Sequence, residues 1–475
     1  MIAATLSVVL PELFLILSAF AGVVLVLYAP DNRFSNIWLW TIVAVFLLLA
    51  FLIGTTVEGV RSGFNGAFVD DPFARAIKVA ILFSTAVILA MSENYLAVRG
   101  GIRPRLLIAM PICLAAMMIM VSTADLSIFL VSMIGFSGAL YVLLAEAPEM
   151  PGELGFNRVL RGGIFSLVML MTCSAVVLGL SAGGVTLFTN VTAADGAIAR
   201  AALGALIASV VCTMVIAPAH IWALRLYAHV QIPLLLFSLS VVPLVGLAVL
   251  ARLLQALAPL SDAAAPVLAG LALLLIILGA VAALRQTQVL PFLACTGFAH
   301  LGFALIGLAT GSSQGVQAML LYLGGYVIMT CGFAAFLLSM QKDAVLLTDI
   351  EVIKGSAGRR PGRALAFAFA LCSLAGIPPF LGFVGKVALL QAVYAAGWMG
   401  LSVLSAMAAL LLAFSYMRLL YYLYFGADKG ASFEAPRTMI PAWVLSGATA
   451  VAVLGALRFL GFEAVALTAA QALVE

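Results

Sequence analysis

With 475 residues, 65% hydrophobic side chains and only 9% charged, the chain is too apolar for a water-soluble globule, whose charged fraction is about 25%. Its mean hydropathy of +1.24 marks a polytopic membrane protein. The net charge of +4 is scattered over short loops with no basic patch or stripe, which sets nucleic-acid binding aside.

Apolar runs of about 20 residues are long enough to cross a bilayer, and they divide the chain into roughly fourteen spans. The first three cover residues 3–28, 36–54 and 74–96. The opening run lacks a basic leader and carries Glu12, so it reads as a retained span and not as a cleaved signal. Spans four to eight cover 105–122, 126–145, 161–182, 201–226 and 231–253, with Pro218 deep inside the seventh in VCTMVIAPAHIW. Spans nine to thirteen cover 264–284, 288–310, 316–341, 364–395 and 400–425, with Pro378 and Pro379 inside the twelfth. A fourteenth span covers 440–462. Proline removes a backbone donor and disfavours helix at the residue before it, so spans seven and twelve are predicted to be broken.

The two breaks lie five spans apart, so the broken helices run in opposite directions, as in inverted-topology repeats. The predicted fold is therefore all-α, with two inverted five-helix repeats in spans 4–8 and 9–13. The domain division is 1–104 for the first three helices, 105–253 for the first repeat, 264–425 for the second and 426–475 for a C-terminal helix. The loops that follow odd-numbered spans hold most of the basic residues, among them Arg99, Arg103, Arg105, Lys354, Arg359, Arg360 and Arg363. They are assigned to the cytoplasm by the positive-inside rule. Cys113, Cys173, Cys212, Cys295, Cys331 and Cys372 fall singly in apolar segments, with no metal or redox spacing. They read as small apolar filler.

The segment SLAGIPPFLGFVGK, Ser373 to Lys386, places a lysine about two turns beyond the Pro-Pro break. A lysine near the centre of a membrane helix costs about 2.5–3.5 kcal/mol on insertion scales, which marks Lys386 as a proton-relay candidate. Snorkelling to an interface is the competing reading. His300, mid-span in CTGFAHLGF, titrates near neutrality, although a membrane histidine can also serve only as a hydrogen-bond partner to a neighbouring helix. His220 follows the seventh-span break, where relay and structural roles compete evenly. Arg161 and Arg418 cannot release a proton, so each is either a fixed counter-charge or an interfacial anchor. Asp125, Glu93 and Glu146 lie near span ends and read as solvated.

QTQVLPFLACTGFAHLGFALIGLATG, VQAMLLYLGGYVIM and SLAGIPPFLGFVGKVALL resemble the antiporter-like membrane subunits of proton-pumping NADH:quinone oxidoreductase, respiratory complex I. FVDDPFARAIKV, AMSENYL and SYMRLLYYLYFG resemble the bacterial subunit N branch in particular, and the likeness runs from about Leu10 to Gly426. It implies fourteen helices with two inverted repeats in a bacterial inner membrane, beside other membrane-arm subunits and lipid. It also implies proton translocation coupled to electron transfer from NADH to quinone. NADH, FMN, iron-sulfur clusters and quinone are then handled by partner subunits, with no cofactor in this chain.

Matched to the family pattern, the twelfth-span lysine falls on Lys386, the central histidine on His300, and the seventh-span Pro-x-His-x-Trp on Pro218, His220 and Trp222. The chain departs from that pattern in its first repeat. Ile134 stands where the family has a fifth-span glutamate, Thr213 and the vicinity of Pro243 where it has lysines, and Arg161 where it has the sixth-span lysine. The resemblance therefore implies a degenerate N-terminal half-channel. Two other readings stand beside it: a cation/proton antiporter subunit of related fold, and a spacer that holds its neighbours in register without pumping.

Overall fold

The computed structural model describes residues 7–28, 32–56, 59–98, 104–145, 168, 171–180, 186–188, 191, 196–213, 227, 230–258, 264–339, 341–342, 345–346, 349–426, 439–455 and 461–474. The predicted seventh-span break at Pro218, with His220 and Trp222, and the sixth-span Arg161 lie outside these residues.

The N-terminal unit consists of α1 (Leu10–Tyr28), α2 (Asn32–Gly54) and α3 (Pro72–Val98), with a small antiparallel hairpin of β1 (Arg61–Gly63) and β2 (Phe68–Asp70) between α2 and α3. Asp71 and Pro72 start α3: the Asp71 carboxylate accepts from the Ala74 amide at 2.7 Å, and proline suits the first helical position, where no amide is needed. Next come α4 (Pro104–Ser122) and α5 (Leu126–Ala145). Asp125, read from sequence as solvated, caps α5 by accepting from Ser127 and Ile128 amides at 2.8 and 3.0 Å. A helical stretch at Met171–Leu180 and α6 (Gly196–Thr213) precede α7 (Ile232–Ala256).

The long helix α7 is buried along nearly all of its length but is not regular. Its ladder widens to a π turn over Phe237–Val241, just before Pro243. Proline supplies no amide for the carbonyl four residues back and its ring crowds that carbonyl, so the turn opens there. The sequence reading assigns deep prolines to spans seven and twelve alone; Pro243 in α7 and Pro111 inside α4 also lie within helices, and only the turn before Pro243 opens.

The second half comprises α8 (Ala265–Arg285), α9 (Val289–Ala309), α10 (Ser313–Leu338), α11 (Pro361–Ala375), α12 (Leu381–Ala395) and α13 (Met399–Phe425). Helix α9 is buried almost throughout and packs closely on α8. A Cβ added at Gly279 would lie 2.7 Å from the Cys295 carbonyl, and one at Gly302 would lie 2.7 Å from that of Ala272. Only glycine permits this approach, which is the small-residue packing typical of membrane helices. The predicted twelfth span is indeed discontinuous, α11 and α12 being half-helices of 15 residues each on either side of the Pro378–Pro379 joint.

The C-terminal segment departs from the expected single helix. It holds two, α14 (Ile440–Leu454) and α15 (Phe462–Val474), both packed on α10. Among the described residues, ten helices are long and apolar enough to cross a membrane, namely α1–α5, α7–α10 and α13; six shorter apolar helices accompany them. Helices α7, α9 and α10 form the interior, while α1, α2 and α13 present most of their surface outward.

Candidate functional site

The helix break is built by a left-handed glycine. Gly376, at φ +82°, ends α11, and its amide together with that of Ile377 turns back to the Cys372 carbonyl. This ends the helix and leaves the last carbonyls of α11 without main-chain partners. Lys386 fills that gap: from the second turn of α12 its Nζ donates to the Leu374 carbonyl at 3.1 Å and to that of Ala375 at 2.8 Å. The ammonium thus sits at the negative end of a half-helix dipole, a favourable site for a cation. Two of its three protons are engaged there. The side chain is buried, so the snorkelling reading does not hold.

Close contacts fix this arrangement. A Cβ at Gly376 would meet Lys386 Cδ and Nζ at 2.8 Å, so glycine is required both for the turn and for the lysine's position. The start of α12 is pinned to α11 by the Gly382 amide, which donates to Ser373 Oγ at 3.1 Å. Above the ammonium lies the Phe303 ring, its centroid 5.4 Å from Nζ, within cation–π range.

His300 occupies the middle of α9 and is buried with both ring nitrogens engaged. Nδ1 lies 2.6 Å from the Tyr322 hydroxyl of α10, and Nε2 lies 2.9 Å from the Tyr416 hydroxyl of α13. The Tyr326 ring packs 4.8 Å from the imidazole centroid. A neutral imidazole has one donor and one acceptor nitrogen, so one tyrosine must donate to it and the other accept from it. Moving a proton across the ring reverses both roles. Tyr322 also joins the two halves of the site: its ring lies 6.1 Å from Phe303, and its Cδ2 would be 3.0 Å from a Cβ at Gly385, the residue before Lys386.

Arg418 is placed elsewhere. Its guanidinium donates to the carbonyls of Leu284, Ala283 and Gln286 at 2.6, 3.3 and 2.8 Å, capping the C-terminal end of α8, with the Phe292 ring 6.0 Å away. Its geometry is that of a fixed helix cap. The structure therefore buries Lys386 beside the Pro378–Pro379 joint and His300 in mid-α9, with Phe303 and Tyr322 packed between them, and keeps Arg418 at the end of α8.

Sequence reasoning missed Tyr322, Tyr326 and Tyr416. The available signal was two tyrosines at i and i+4 on α10, which share a face in an otherwise apolar span. Lys78, six residues into α3, is buried and paired with Glu12 at 2.7 Å, a contact between α1 and α3 that no spacing within one helix discloses.

The fold and these buried polar groups define a multi-pass membrane protein built around a discontinuous helix. A family model described as NADH:quinone oxidoreductase/Mrp antiporter, TM, matches residues 123–412. NADH-quinone oxidoreductase subunit N of Jannaschia sp. (strain CCS1) is 34% identical, with 100% of each chain covered. The protein of the same name from Rhodobacter capsulatus is 33% identical, with 99% of each covered. Among solved structures, a chain of Thermus thermophilus respiratory complex I with bound aureothin superposes at a TM-score of 0.80 and 22% identity, covering 96% of this chain and 99% of that one. A chain of the Mrp complex from Dietzia sp. DQ12-45-1b also reaches 0.80, at 17% identity, covering 100% and 98%. The chain thus belongs to the NADH-quinone oxidoreductase subunit N family, within the wider group of complex I and Mrp antiporter-like membrane subunits.

Proposed function

We propose that the chain is a proton-translocating membrane-arm subunit of an inner-membrane NADH:quinone oxidoreductase, and that protons pass along Lys386, Tyr322, His300 and Tyr416. Electron transfer from NADH to quinone, with its FMN and iron-sulfur centres, belongs to partner subunits, so the chain is a translocase component. The observation that carries this reading is the buried Lys386 ammonium on the open carbonyls of α11. A buried lysine held by two carbonyls and, among the described residues, by no carboxylate keeps a proton that it can give up without breaking an ion pair. His300, with a hydroxyl on each nitrogen, supplies the next exchange.

The first repeat supports a more restricted role. Among the described residues, α5, α6 and α7 carry no lysine, aspartate or glutamate, and Ile134 is 48% exposed on the outer face of α5. This favours a degenerate N-terminal half-channel and, as a second reading, a spacer that no longer pumps. The antiporter reading shares the fold, as the Mrp likeness illustrates, but the full-length subunit N relatives favour the first reading. A tagged chain extracted in mild detergent is expected to bring an NADH-oxidising assembly with it. Recovery alone, as an active cation/proton exchanger in vesicles, would overturn the proposal.

A further inference from the structure

The N-terminal helices hold a second group of buried charges, on elements separate from those that carry Lys386. Glu12 Oε1 of α1 and Lys78 Nζ of α3 are 2.7 Å apart, and Lys78 Nζ is 3.7 Å from Asp70 Oδ1 on β2. Asp70 Oδ2 in turn accepts from Arg61 Nη2 at 2.9 Å and from Arg75 Nε at 3.0 Å. Side-chain exposure falls along this series, from 32% at Arg61 through 6% at Asp70 and 1% at Lys78 to 0% at Glu12. The group is a ladder of charge that runs from the hairpin into the bundle. Beside it, Arg252 Nη2 of α7 contacts both oxygens of Asp71 at 2.9 Å. The other ionisable residues on the helices packed along α1 are Arg33 of α2, and Arg105 and Cys113 of α4.

Two features distinguish this group from a structural latch. Glu12 Oε2 is buried and has no hydrogen-bond partner among the described residues, although leaving such an atom unpartnered is costly. Lys78 also lies between two carboxylates, those of Glu12 and Asp70, while Asp71 pairs with Arg252. Arginine does not release protons, so Lys78 is the cation of this group that can exchange one. Burial pushes the Asp70 carboxyl up, but the Lys78 charge and the hydrogen bonds from Arg61 and Arg75 outweigh it and hold the group below the ordinary carboxylate range. Asp70 therefore stays ionised and anchors Lys78, leaving Glu12 as the proton acceptor.

We propose that Lys78 and Glu12 form a proton-exchange site on the side of the membrane that carries the β1–β2 hairpin. An N–H bond at Lys78 Nζ breaks and an O–H bond forms at Glu12 Oε1, turning ammonium and carboxylate into amine and carboxylic acid with no change in net charge. The acid then releases its proton to water. Lys78 takes a proton from hydronium on the hairpin side, which restores the ion pair. This site supplies the first half of the chain with an exchangeable Glu–Lys pair that α5, α6 and α7 do not provide among the described residues.

The inference rests on the reading that the chain moves protons, and the test separates the two. In the intact oxidoreductase, Glu12→Gln/Lys78→Met removes both charges together and fills nearly the same space, so a latch would survive it. The assembled double variant is expected to lose protons moved per NADH oxidised; native pumping overturns the inference. Should the double variant not assemble, Glu12→Asp keeps the charge but lengthens the contact. Its pumping is expected to show a shifted pH profile, and an unchanged profile overturns the inference. Loss of pumping in Lys386→Arg together with full pumping in the double variant would sink this site alone. Full pumping in both would sink the functional reading as well.

Discussion

Gly376→Ala tests the coupling between the helix break and Lys386 with a single methyl group. At φ +82° an L residue is strained by about 1–2 kcal/mol. The new Cβ would lie 2.8 Å from Lys386 Cδ and Nζ, so the amine must leave the carbonyls of Leu374 and Ala375. Hydrogen bonds from a charged donor are worth about 1.5–3 kcal/mol each, so the displacement adds about 3–6 kcal/mol to the backbone strain. In a Lys386→Ala background there is no amine to displace, and only the strain of about 1–2 kcal/mol remains. A double-mutant cycle on thermal inactivation of the assembled complex in membranes is expected to give a coupling of about 3–6 kcal/mol, with proton pumping already lost in Gly376→Ala alone. Equal destabilisation by Gly376→Ala in both backgrounds would refute the view that this glycine holds the lysine in place.

The remaining expectations concern the histidine line and the hairpin. Tyr416→Phe removes the hydroxyl from His300 Nε2, leaving a buried nitrogen unpaired at about 1–3 kcal/mol, and is expected to slow proton pumping while the complex still assembles; native pumping rates in vesicles would exclude this hydroxyl from the path. Because the folded Asp70 carboxyl is held below its ordinary value of about 3.9, its stabilisation of the hairpin is complete above that pH and is lost as pH falls through the lowered folded value. Hydrogen exchange at the Ser62 and Val69 amides is expected to accelerate in that acid window in the native protein and to be fast and pH-independent in Asp70→Asn after correction for intrinsic exchange. The same acid dependence in both proteins would count against Asp70 as the titrating group.

What the sequence disclosed follows from what is local in it. A Pro-Pro pair within an apolar run breaks a helix wherever it stands, and a lysine two turns on is an anomaly at any register, so the α11–α12 joint and Lys386 were legible. His300 was legible for the same reason. Its two tyrosine partners come from α10 and α13, and no spacing within one helix discloses a contact between helices. Glu12 and Lys78 were each visible as charges, yet their pairing depends on the β1–β2 hairpin folding so that Lys78 is enclosed and not solvated. Arg418 had two readings on sequence, and the carbonyls at the end of α8 decide for a cap. The split between α14 and α15 carries no proline; a left-handed glycine at Gly461, φ +66°, precedes α15, a weaker signal in a glycine-rich chain.

The central claim is that Lys386 carries a proton and is not merely a positive cap on α11. Lys386→Arg separates these roles, since arginine keeps the charge and the donors but does not release a proton. Proton translocation per NADH oxidised, measured in vesicles containing the assembled Lys386→Arg complex, is the decisive quantity. Normal assembly with loss of pumping is the expected result, and native pumping by that variant would contradict the account.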